Sequence, residues 1–352
     1  MNRIRHNLTG EAVSIEISTR CNSSCSHCFA RAGRGRDFSL DHDTAAAILR
    51  EAFTLGYHRL HITGGEPFLY ESILELLDEA FSTGYETVFI NTNGTLLSDS
   101  LCSVLAGYGP GLSLSVSLQG PRELHDTVRG PGSWDRAAAG IGNLLNRSIK
   151  TAVYTATGRS LLPGLSRFVA DIFKRFSAIE YLAFIQMIRV AGDALDLSRE
   201  VLRPEDFISL VKTTALLDLG GYGVTILENP LAAVTARCLG MPWLPVEPHL
   251  HRSGRLVIMA DRNVTLAHST RESFGEYRRG LLEEILVSGE YDTAVGPDEK
   301  TCPSCRHNDL CVKCGLVRPS EWYRDMNPEI PYCMRVMDLA CAETVSDTQG
   351  ES

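Results

Sequence analysis

Three cysteines lie close together near the start of the chain: Cys21, Cys25 and Cys28. A cysteine thiolate is a soft, anionic ligand, and clustered thiolates suit an iron–sulfur cluster or zinc. Such centres usually have four protein ligands. Three ligands on one short loop therefore predict a metal centre with one open position, where a substrate or cofactor can bind the metal directly.

A second group of cysteines lies near the C-terminus, as Cys302-x2-Cys305-x5-Cys311-x2-Cys314 followed by Cys333. Structural zinc is the simplest alternative for such a group. Zinc ribbons place roughly 12–20 residues between their Cys-x2-Cys pairs, whereas five residues separate Cys305 from Cys311 here. The short spacing disfavours a zinc ribbon.

The composition limits the class of protein. The 352 residues are 44% hydrophobic and 22% charged, as expected for one large or two smaller packed domains. The net charge of −9 argues against nucleic acid or an anionic membrane as partner. Without an apolar run of about 18 residues or a signal peptide, the chain is predicted to be cytoplasmic. The 11 cysteines are then better explained as metal ligands and core residues than as disulfides.

Predicted strands and helices alternate through the first half of the chain. This alternation predicts βαβ units and a parallel sheet, either open and doubly wound or closed into an incomplete barrel. Parallel sheets carry their sites at the C-terminal ends of the strands, where the cysteine loop and several glycine-rich segments lie. The predicted strands are 13–18, 58–62, 86–90, 112–118, 150–156 and 179–188, and the predicted helices are 41–55, 71–82, 98–106, 134–145 and 165–176.

The pattern changes after residue 195. Residues 196–235 are predicted to be a linker with one helix (204–217) and one strand (224–227). Residues 236–342 are predicted to be a small domain stabilised by metal, because they are rich in loops and contain many of the cysteines. Its predicted elements are a hairpin (256–259 and 264–266) and a helix (276–286), and the polar tail 343–352 is predicted to be disordered.

The motifs of the first half resemble the radical S-adenosylmethionine (radical SAM) superfamily. Cys21-x3-Cys25-x2-Cys28 follows the first predicted strand, and Gly64-Gly65-Glu66-Pro67 ends the second. Asn91-Thr92-Asn93-Gly94 and Ser115-Val116-Ser117-Leu118 lie at the third and fourth. The resemblance covers about residues 10–195 and implies a partial (β/α)6 barrel. One departure is His27, where the family usually has an aromatic residue before the last cysteine.

The resemblance implies a 4Fe–4S cluster on the three loop cysteines, with SAM chelating the fourth iron. Reduction of SAM then gives a 5′-deoxyadenosyl radical, which can break C–H bonds that no side-chain acid or base can break. Gly64 and Gly65 would let the backbone approach SAM, and Glu66 would bind its amino group or fix the loop. The other residues implied to bind SAM are Asn93, Ser117, Gln119 and Arg129.

Two of these residues have specific implied roles. In His125-Asp126-x2-Arg129-Gly130, the guanidinium of Arg129 would bind the SAM carboxylate. Gln119 stands where many relatives have an aspartate in Ser-x-Asp-Gly. An amide can hydrogen-bond a ribose hydroxyl, but it cannot act as a base.

The C-terminal cysteines resemble the SPASM or twitch type of auxiliary iron–sulfur domain. The resemblance implies at least one auxiliary 4Fe–4S cluster, on Cys302, Cys305, Cys311 and Cys333. A second, inner cluster is in question, because Ala267 stands where a cysteine is expected. Three alternatives remain: the inner cluster is absent, it is held by Cys238 and Cys314 with a ligand such as His268 or Cys341, or Cys314 replaces a ligand of the one remaining cluster. His268 is also a candidate acid–base residue.

The expected function is radical SAM modification of a peptide or protein, as a crosslink or an oxidation. The alternative is a small-molecule substrate such as a sugar, nucleoside or tetrapyrrole. A non-catalytic electron-transfer protein is a third class, which the intact SAM motifs disfavour. The expected electron donor is a flavodoxin or ferredoxin. Only about 20 residues precede the cysteine loop, so leader-peptide recognition is expected to need a separate protein.

Overall fold

The computed structural model describes most of the chain in two compact units. It describes residues 8–28 and 36–187 with Ile4, His6, Ala30 and Ala32, then 199–247, 253–268, 273–295, Arg306, His307 and 332–347. The first unit comprises Met1–Val153, Ala178–Glu180 and Ser253–Ala294. The second comprises Tyr154–Ser177, Tyr181–Arg252 and Val295–Ser352.

The first unit is built on a parallel sheet whose strands are joined by helices. Its strands are β1 (Ala12–Glu16), β2 (Arg59–Thr63), β3 (Thr87–Thr92) and β4 (Leu112–Ser117), followed by β5 (Lys150–Thr157), which ends in the second unit. Its helices up to this point are α1 (His42–Leu55), α2 (Ile73–Thr83), α3 (Asp99–Leu105), α4 (Arg122–Arg129) and α5 (Ser133–Asn146). The predicted α/β class and parallel sheet are confirmed.

The register of this sheet separates an apolar face from a polar one. Ile15, Ile62, Ile90 and Leu114 lie side by side on adjacent strands and are completely buried. The alternate positions of β1 are Ser14 and Glu16, which are buried as well. Because successive side chains of a strand point to opposite faces, one face packs in the apolar core and the other is largely polar, buried at β1 and partly exposed at β2 and β3.

Local sequence signals mark the start of α1 and the ends of α1 and α2. Asp41 caps α1 by accepting a hydrogen bond from the Thr44 amide (2.8 Å). Gly56 and Gly84 end α1 and α2 in the left-handed conformation, at φ 115°, which glycine adopts without a steric penalty. These signals fix where the chain returns to the sheet.

The hairpin of the predicted second domain is part of the first unit. It consists of β9 (Leu256–Ile258) and β10 (Val264–Thr265), and β9 pairs parallel with β1 through Ser14 and Val257. In this unit the strand order is β10-β9-β1-β2-β3-β4. The helix predicted over 276–286 begins only at Leu281 as α9 (Leu281–Leu286), and α10 (Gly289–Val295) follows it.

Three strands of the second unit pair in parallel. Strands β6 (Leu182–Gln186), β7 (Val224–Leu227) and β8 (Val246–Glu247) are adjacent in that order. Its helices are α6 (Leu165–Arg175), α7 (Pro204–Leu219), α8 (Pro230–Cys238) and α11 (Tyr332–Asp347). Helix α11 continues into the tail that the sequence predicted to be disordered. None of the helices in the described part of the chain is both long and apolar enough to cross a membrane.

Candidate functional site

The loop with the three cysteines follows β1 and is tied to α4. Cys25 is buried, and Cys21 and Cys28 are half-buried. The Cys28 amide donates to the Cys25 carbonyl (3.2 Å), and the Ser26 amide donates to the Val128 carbonyl (3.1 Å). The loop therefore presents three thiols from a backbone that is bonded both to itself and to a helix.

Burial controls the protonation of these thiols. It raises the pKa of Cys21 to about 11 and also raises the pKa of Cys28, where the positive charge of Arg129 acts in the opposite direction. Without a bound cation, both groups are protonated at neutral pH. Metal binding must therefore displace their protons.

The two glycines after β2 make room for the protein's own backbone. The amide of Gly65 donates to the Ser18 carbonyl (2.7 Å), and the amide of Glu66 donates to the Arg20 carbonyl (2.8 Å). A Cβ on Gly64 would lie 2.5 Å from the Ser18 oxygen, and one on Gly65 would overlap the Arg20 carbonyl. The sequence analysis explained these glycines by a close approach of the backbone to SAM. It did not foresee that they also make room for the chain segment that leads into the cysteine loop.

Glu66 connects the ends of two strands. It is completely buried and accepts hydrogen bonds from the Thr92 hydroxyl (2.7 Å) and the amides of Asn93 (2.8 Å) and Phe68 (3.3 Å). Burial raises the pKa of its carboxyl, and these donors and the nearby Arg129 act in the opposite direction. Of the two roles predicted for Glu66, fixing the loop is the one these contacts support.

Two Asn-x-Ser/Thr segments bond to each other at the end of β3. Asn93 Nδ2 donates to Asn22 Oδ1 (2.8 Å), and Asn22 Nδ2 donates to the Thr95 hydroxyl (2.9 Å). Thr95 in turn donates to Asn93 Oδ1 (2.7 Å). Sequence reasoning missed Asn22, Thr92 and Thr95 as site residues, because no short-range pattern marks side chains that meet across 70 residues.

The segment after β4 is held by His125. The Gln119 amide donates to His125 Nδ1 (3.0 Å), and both residues are buried. Burial, and then the charge of Arg129, lowers the pKa of His125 to about 4. The ring is therefore neutral at pH 7, which leaves Nδ1 free of a proton to accept this bond.

Arg129 is the last residue of α4, and its guanidinium presents a hydrogen-bond donor to the site. Asp126, one turn earlier, accepts from the amides of Gly132 and Trp134 (2.8 Å each) and fixes the bend between α4 and α5. Arg129 Nε is buried and has no hydrogen-bond partner among the residues that the structure describes. A buried guanidinium donor without a partner is costly, which indicates a position prepared for an anionic group.

The polar face of the sheet supplies further hydrogen-bonding groups. Ser14 and His61 Nδ1 share a hydrogen bond (3.0 Å), and the Ser115 hydroxyl donates to Asn91 Oδ1 (2.6 Å). Ser117 is half-buried at the C-terminal end of β4. Buried polar side chains on one sheet face are stable when they bond to each other or line a polar cavity.

His268 lies beside His61 at the end of the hairpin. The ring centroids are 6.0 Å apart, edge to face, and His268 Nε2 is buried with no hydrogen-bond partner in the described part of the chain. Burial, followed by the charges of His61 and Arg255, lowers the pKa of His268 well below its usual value. Its imidazole is therefore neutral at physiological pH.

The predicted auxiliary ligands are only partly covered by the structure. Cys302, Cys305, Cys311 and Cys314 lie outside the described residues. Cys333 is half-buried in the first turn of α11. Cys238, the last residue of α8, lies near His307 and Cys341 in the second unit.

Comparisons with known proteins agree with the motifs. Residues 15–172 match the family model described as Radical SAM superfamily. The AdoMet-dependent heme synthase of Oleidesulfovibrio alaskensis is 28% identical over 199 residues, 55% of this chain and 50% of the relative. The mycofactocin maturase MftC of Mycolicibacterium smegmatis is 29% identical over 157 residues, 44% of this chain and 40% of the relative. The chain thus spans about half the length of these curated relatives.

Solved structures share the fold over more of the chain. The structure "Native anSMEcpe with bound AdoMet and Cp18Cys peptide" has a TM-score of 0.70 at 15% identity, covering 97% of this chain and 99% of that one. Streptococcus suis SuiB bound to its precursor peptide SuiA has a TM-score of 0.70 at 16% identity, covering 87% and 72%. At these identities the likeness establishes a shared fold.

Proposed function

We propose, on the premise that residues 15–172 form a radical SAM superfamily domain, that this chain reductively cleaves SAM and abstracts hydrogen from a peptide or protein. The superfamily implies a 4Fe–4S cluster and SAM as cofactors. These cofactors supply, when bound, a 5′-deoxyadenosyl radical that removes a hydrogen atom from an unactivated carbon.

The residues of the site fit these cofactors. Cys21, Cys25 and Cys28 give three thiolates on one loop and leave the fourth coordination position to a ligand other than this loop. The buried Arg129 Nε donates to the carboxylate of the methionyl group, which removes the cost of its missing partner. Glu66, Asn93 and Gly65 act on the protein itself, because they hold the cysteine loop against the ends of β2 and β3.

Other residues complete the proposed SAM site. Ser117 and Gln119 lie at and just after the end of β4, and they would hold the ribose of SAM. His125 positions Gln119 through its backbone amide. His268, with a neutral ring, is the proposed proton acceptor after hydrogen abstraction.

The observation that carries the peptide substrate is the polar face of the sheet in the first unit. Ser14 and His61 bond to each other there, as do Ser115 and Asn91. Hydroxyl and amide groups keep further hydrogen-bonding capacity, which suits the amide groups of a peptide. A relative named mycofactocin maturase and fold neighbours solved with peptides support the same class. A flavodoxin or ferredoxin is the proposed electron donor, and a separate leader-binding protein is a possible partner.

An auxiliary iron–sulfur cluster is proposed for the C-terminal part of the chain. Cys302, Cys305, Cys311 and Cys333 are the proposed ligands of one auxiliary 4Fe–4S cluster. The proposed domain boundaries remain 1–195 for the radical SAM core and 236–342 for the auxiliary domain, with 196–235 as linker, although the hairpin within 236–342 pairs with β1 of the first unit.

A tetrapyrrole is the second candidate substrate. The AdoMet-dependent heme synthase matches 55% of this chain, slightly more than the maturase does. A macrocycle, however, needs a wide apolar pocket, and the alternate positions of β1 to β4 are largely polar.

The two classes are separated by substrate-dependent turnover. The reduced, reconstituted enzyme is incubated with SAM and either precursor peptides encoded beside its gene or iron-coproporphyrin III. We expect a peptide to stimulate 5′-deoxyadenosine release and to lose about two mass units, as one crosslink or oxidation requires. Stimulation by the porphyrin alone would replace the peptide proposal with the tetrapyrrole one.

Replacing Arg129 by glutamine tests the proposed carboxylate contact. The variant loses a charge-assisted hydrogen bond worth about 1.5–3 kcal/mol, so SAM binding should weaken roughly 10- to 100-fold. Equilibrium binding of SAM to the reconstituted enzyme measures this change. The matched control is Arg122→Gln, which removes an exposed arginine from the start of the same helix. Equal binding by both variants would remove Arg129 from the SAM site.

A further inference from the structure

Three metal-binding side chains meet in the second unit. Cys238 is the last residue of α8, Cys341 lies in α11, and His307 comes from the segment between. Their ligand atoms all lie within 4.8 Å of one another. Cys238 Sγ and His307 Nε2 are 3.7 Å apart. Among the described residues, no other three potential ligands of this type are so close.

The spacing of these atoms matches the binding of one ion. Zinc lies about 2.3 Å from sulfur and about 2.0 Å from nitrogen, so tetrahedral coordination places the two ligand atoms roughly 3.5 Å apart. The ligands of a cubane cluster bind different irons and must lie farther apart. The thiols of Cys21, Cys25 and Cys28, all described, do not meet the 4.8 Å limit. The ligand atoms of the second unit are thus close enough to bind one ion, whereas the three thiols of the cysteine loop are spaced as the ligands of a cluster are.

We propose that Cys238, His307 and Cys341 bind a single zinc ion, separate from both iron–sulfur ligand sets. Two thiolates and one imidazole are a donor set that zinc prefers, and three protein ligands leave a fourth position for water. The ion joins α8 to α11 and fixes the segment around His307 between them. This site is independent of the proposed substrate and of SAM cleavage.

Two arginines now make the contacts that zinc must replace. Arg306 donates from Nη2 to Cys341 Sγ (3.1 Å) and from Nε toward His307 Nε2 (3.0 Å). Arg237 Nη2 contacts His307 Nδ1 (2.8 Å). A neutral imidazole accepts at one nitrogen only, so these two donors compete for the ring. Zinc at Nε2 places the proton on Nδ1, and both guanidiniums must then leave the ring.

The surroundings allow this exchange. Arg306 is exposed and can turn into solvent, and Cys238 and Cys341 are half-buried, so an ion can reach them. His307 is 8% exposed and fixed in position. The guanidinium of Arg306 donates to Cys341 Sγ and His307 Nε2, so a cationic group already contacts two of the three ligand atoms.

Metal analysis of the reconstituted enzyme tests the site. Zinc and iron per chain are measured for the wild type and for Cys238→Ser, His307→Ala and Cys341→Ser, with Cys102→Ser, a buried thiol of α3, as control. We expect about one zinc in the wild type and the control, and loss of that zinc in all three variants. Iron content and 5′-deoxyadenosine release should be unchanged. Zinc content is read without SAM, so failure of the proposed function does not affect it.

Cobalt(II) binding to the wild type is an independent test of the site, because it does not require any variant to fold. Thiolate-ligated tetrahedral cobalt absorbs visible light strongly, so the zinc-depleted wild type should gain this absorption and zinc should remove it. Iron loss in the three variants would instead assign these residues to an iron–sulfur cluster. An unchanged zinc content, or wild type that binds neither zinc nor cobalt, would also overturn the proposal.

Arg306→Ala separates a metal site from a simple packing contact. Removing the competing guanidinium should tighten cobalt binding roughly tenfold, the effect of one charge-assisted hydrogen bond. The control is Arg167→Ala, an exposed arginine of α6 paired with Asp171. Weaker or equal cobalt binding by Arg306→Ala would show that the arginine does not compete with the metal.

Discussion

Changing Cys21, Cys25 and Cys28 together to alanine should reduce 5′-deoxyadenosine release to the level without enzyme. These thiols are the proposed ligands of the cluster that delivers an electron to SAM, and no side-chain acid or base replaces that chemistry. The iron content should fall by about four per chain, the size of one cubane cluster. Both quantities are measured after anaerobic reconstitution and reduction.

The triple variant should remain folded, because the three residues lie on a loop rather than in a helix or strand. Its control is Cys102→Ala, whose thiol is completely buried in α3 and too far from the loop in sequence to belong to the motif. This control should keep both iron and activity. Persistent 5′-deoxyadenosine release by the triple variant would place SAM cleavage at another centre and refute the assignment of this loop.

Alternation of strands and helices predicted the parallel sheet well, because each of these elements follows from a local residue pattern. The strand predicted over 224–227 has those bounds in β7. Helix α4 was missed, since only His125 of its eight residues is buried and its apolar stripe is limited to Leu124 and Val128. The start of α9 was also misplaced. Glu51 of α1 accepts from the amides of Gly280 and Leu282, and no local pattern reveals a cap that comes from a distant helix.

The hairpin shows why domain membership was harder to predict than strand existence. Its two strands were found from their own residues, but its pairing with β1 joins positions more than 200 residues apart. Neither hydrophobic pattern nor turn chemistry specifies such a partner. Its packing explains the buried Glu16, whose carboxyl accepts from the Ala260 amide (3.3 Å) and has its pKa raised to about 7 by burial.

The residue types of the candidate site were predictable, whereas their roles were not. Spacing identified the cysteines, the glycines and Arg129, because each belongs to a short motif. The contacts that tie Asn22 to Asn93 and Ser26 to Val128 depend on how three strand ends meet. Several predicted SAM ligands thus bind the cysteine loop itself, and the site depends on this internal support.

Replacing Gly65 by alanine should therefore disable the site without touching any proposed ligand. The new Cβ overlaps the Arg20 carbonyl, which accepts the hydrogen bond from the Glu66 amide. Relief requires the backbone of 18–20 to move away from the end of β2, and the cysteine loop begins at the next residue. Overpacking of this kind costs about 3 kcal/mol or more.

The expected result for Gly65→Ala is loss of iron from the cysteine loop and of 5′-deoxyadenosine release, with the far-ultraviolet circular dichroism of a folded α/β protein. Gly142→Ala is the matched control, because a Cβ there meets no atom within 4 Å. It lies inside α5, where alanine favours the helix by up to about 1 kcal/mol, so this variant should be fully active and slightly more stable. Normal iron content with lost activity in Gly65→Ala would mean that the loop does not need the close backbone pairing and that the glycine serves SAM directly, as the motif suggested. Normal iron content with normal activity would contradict both roles.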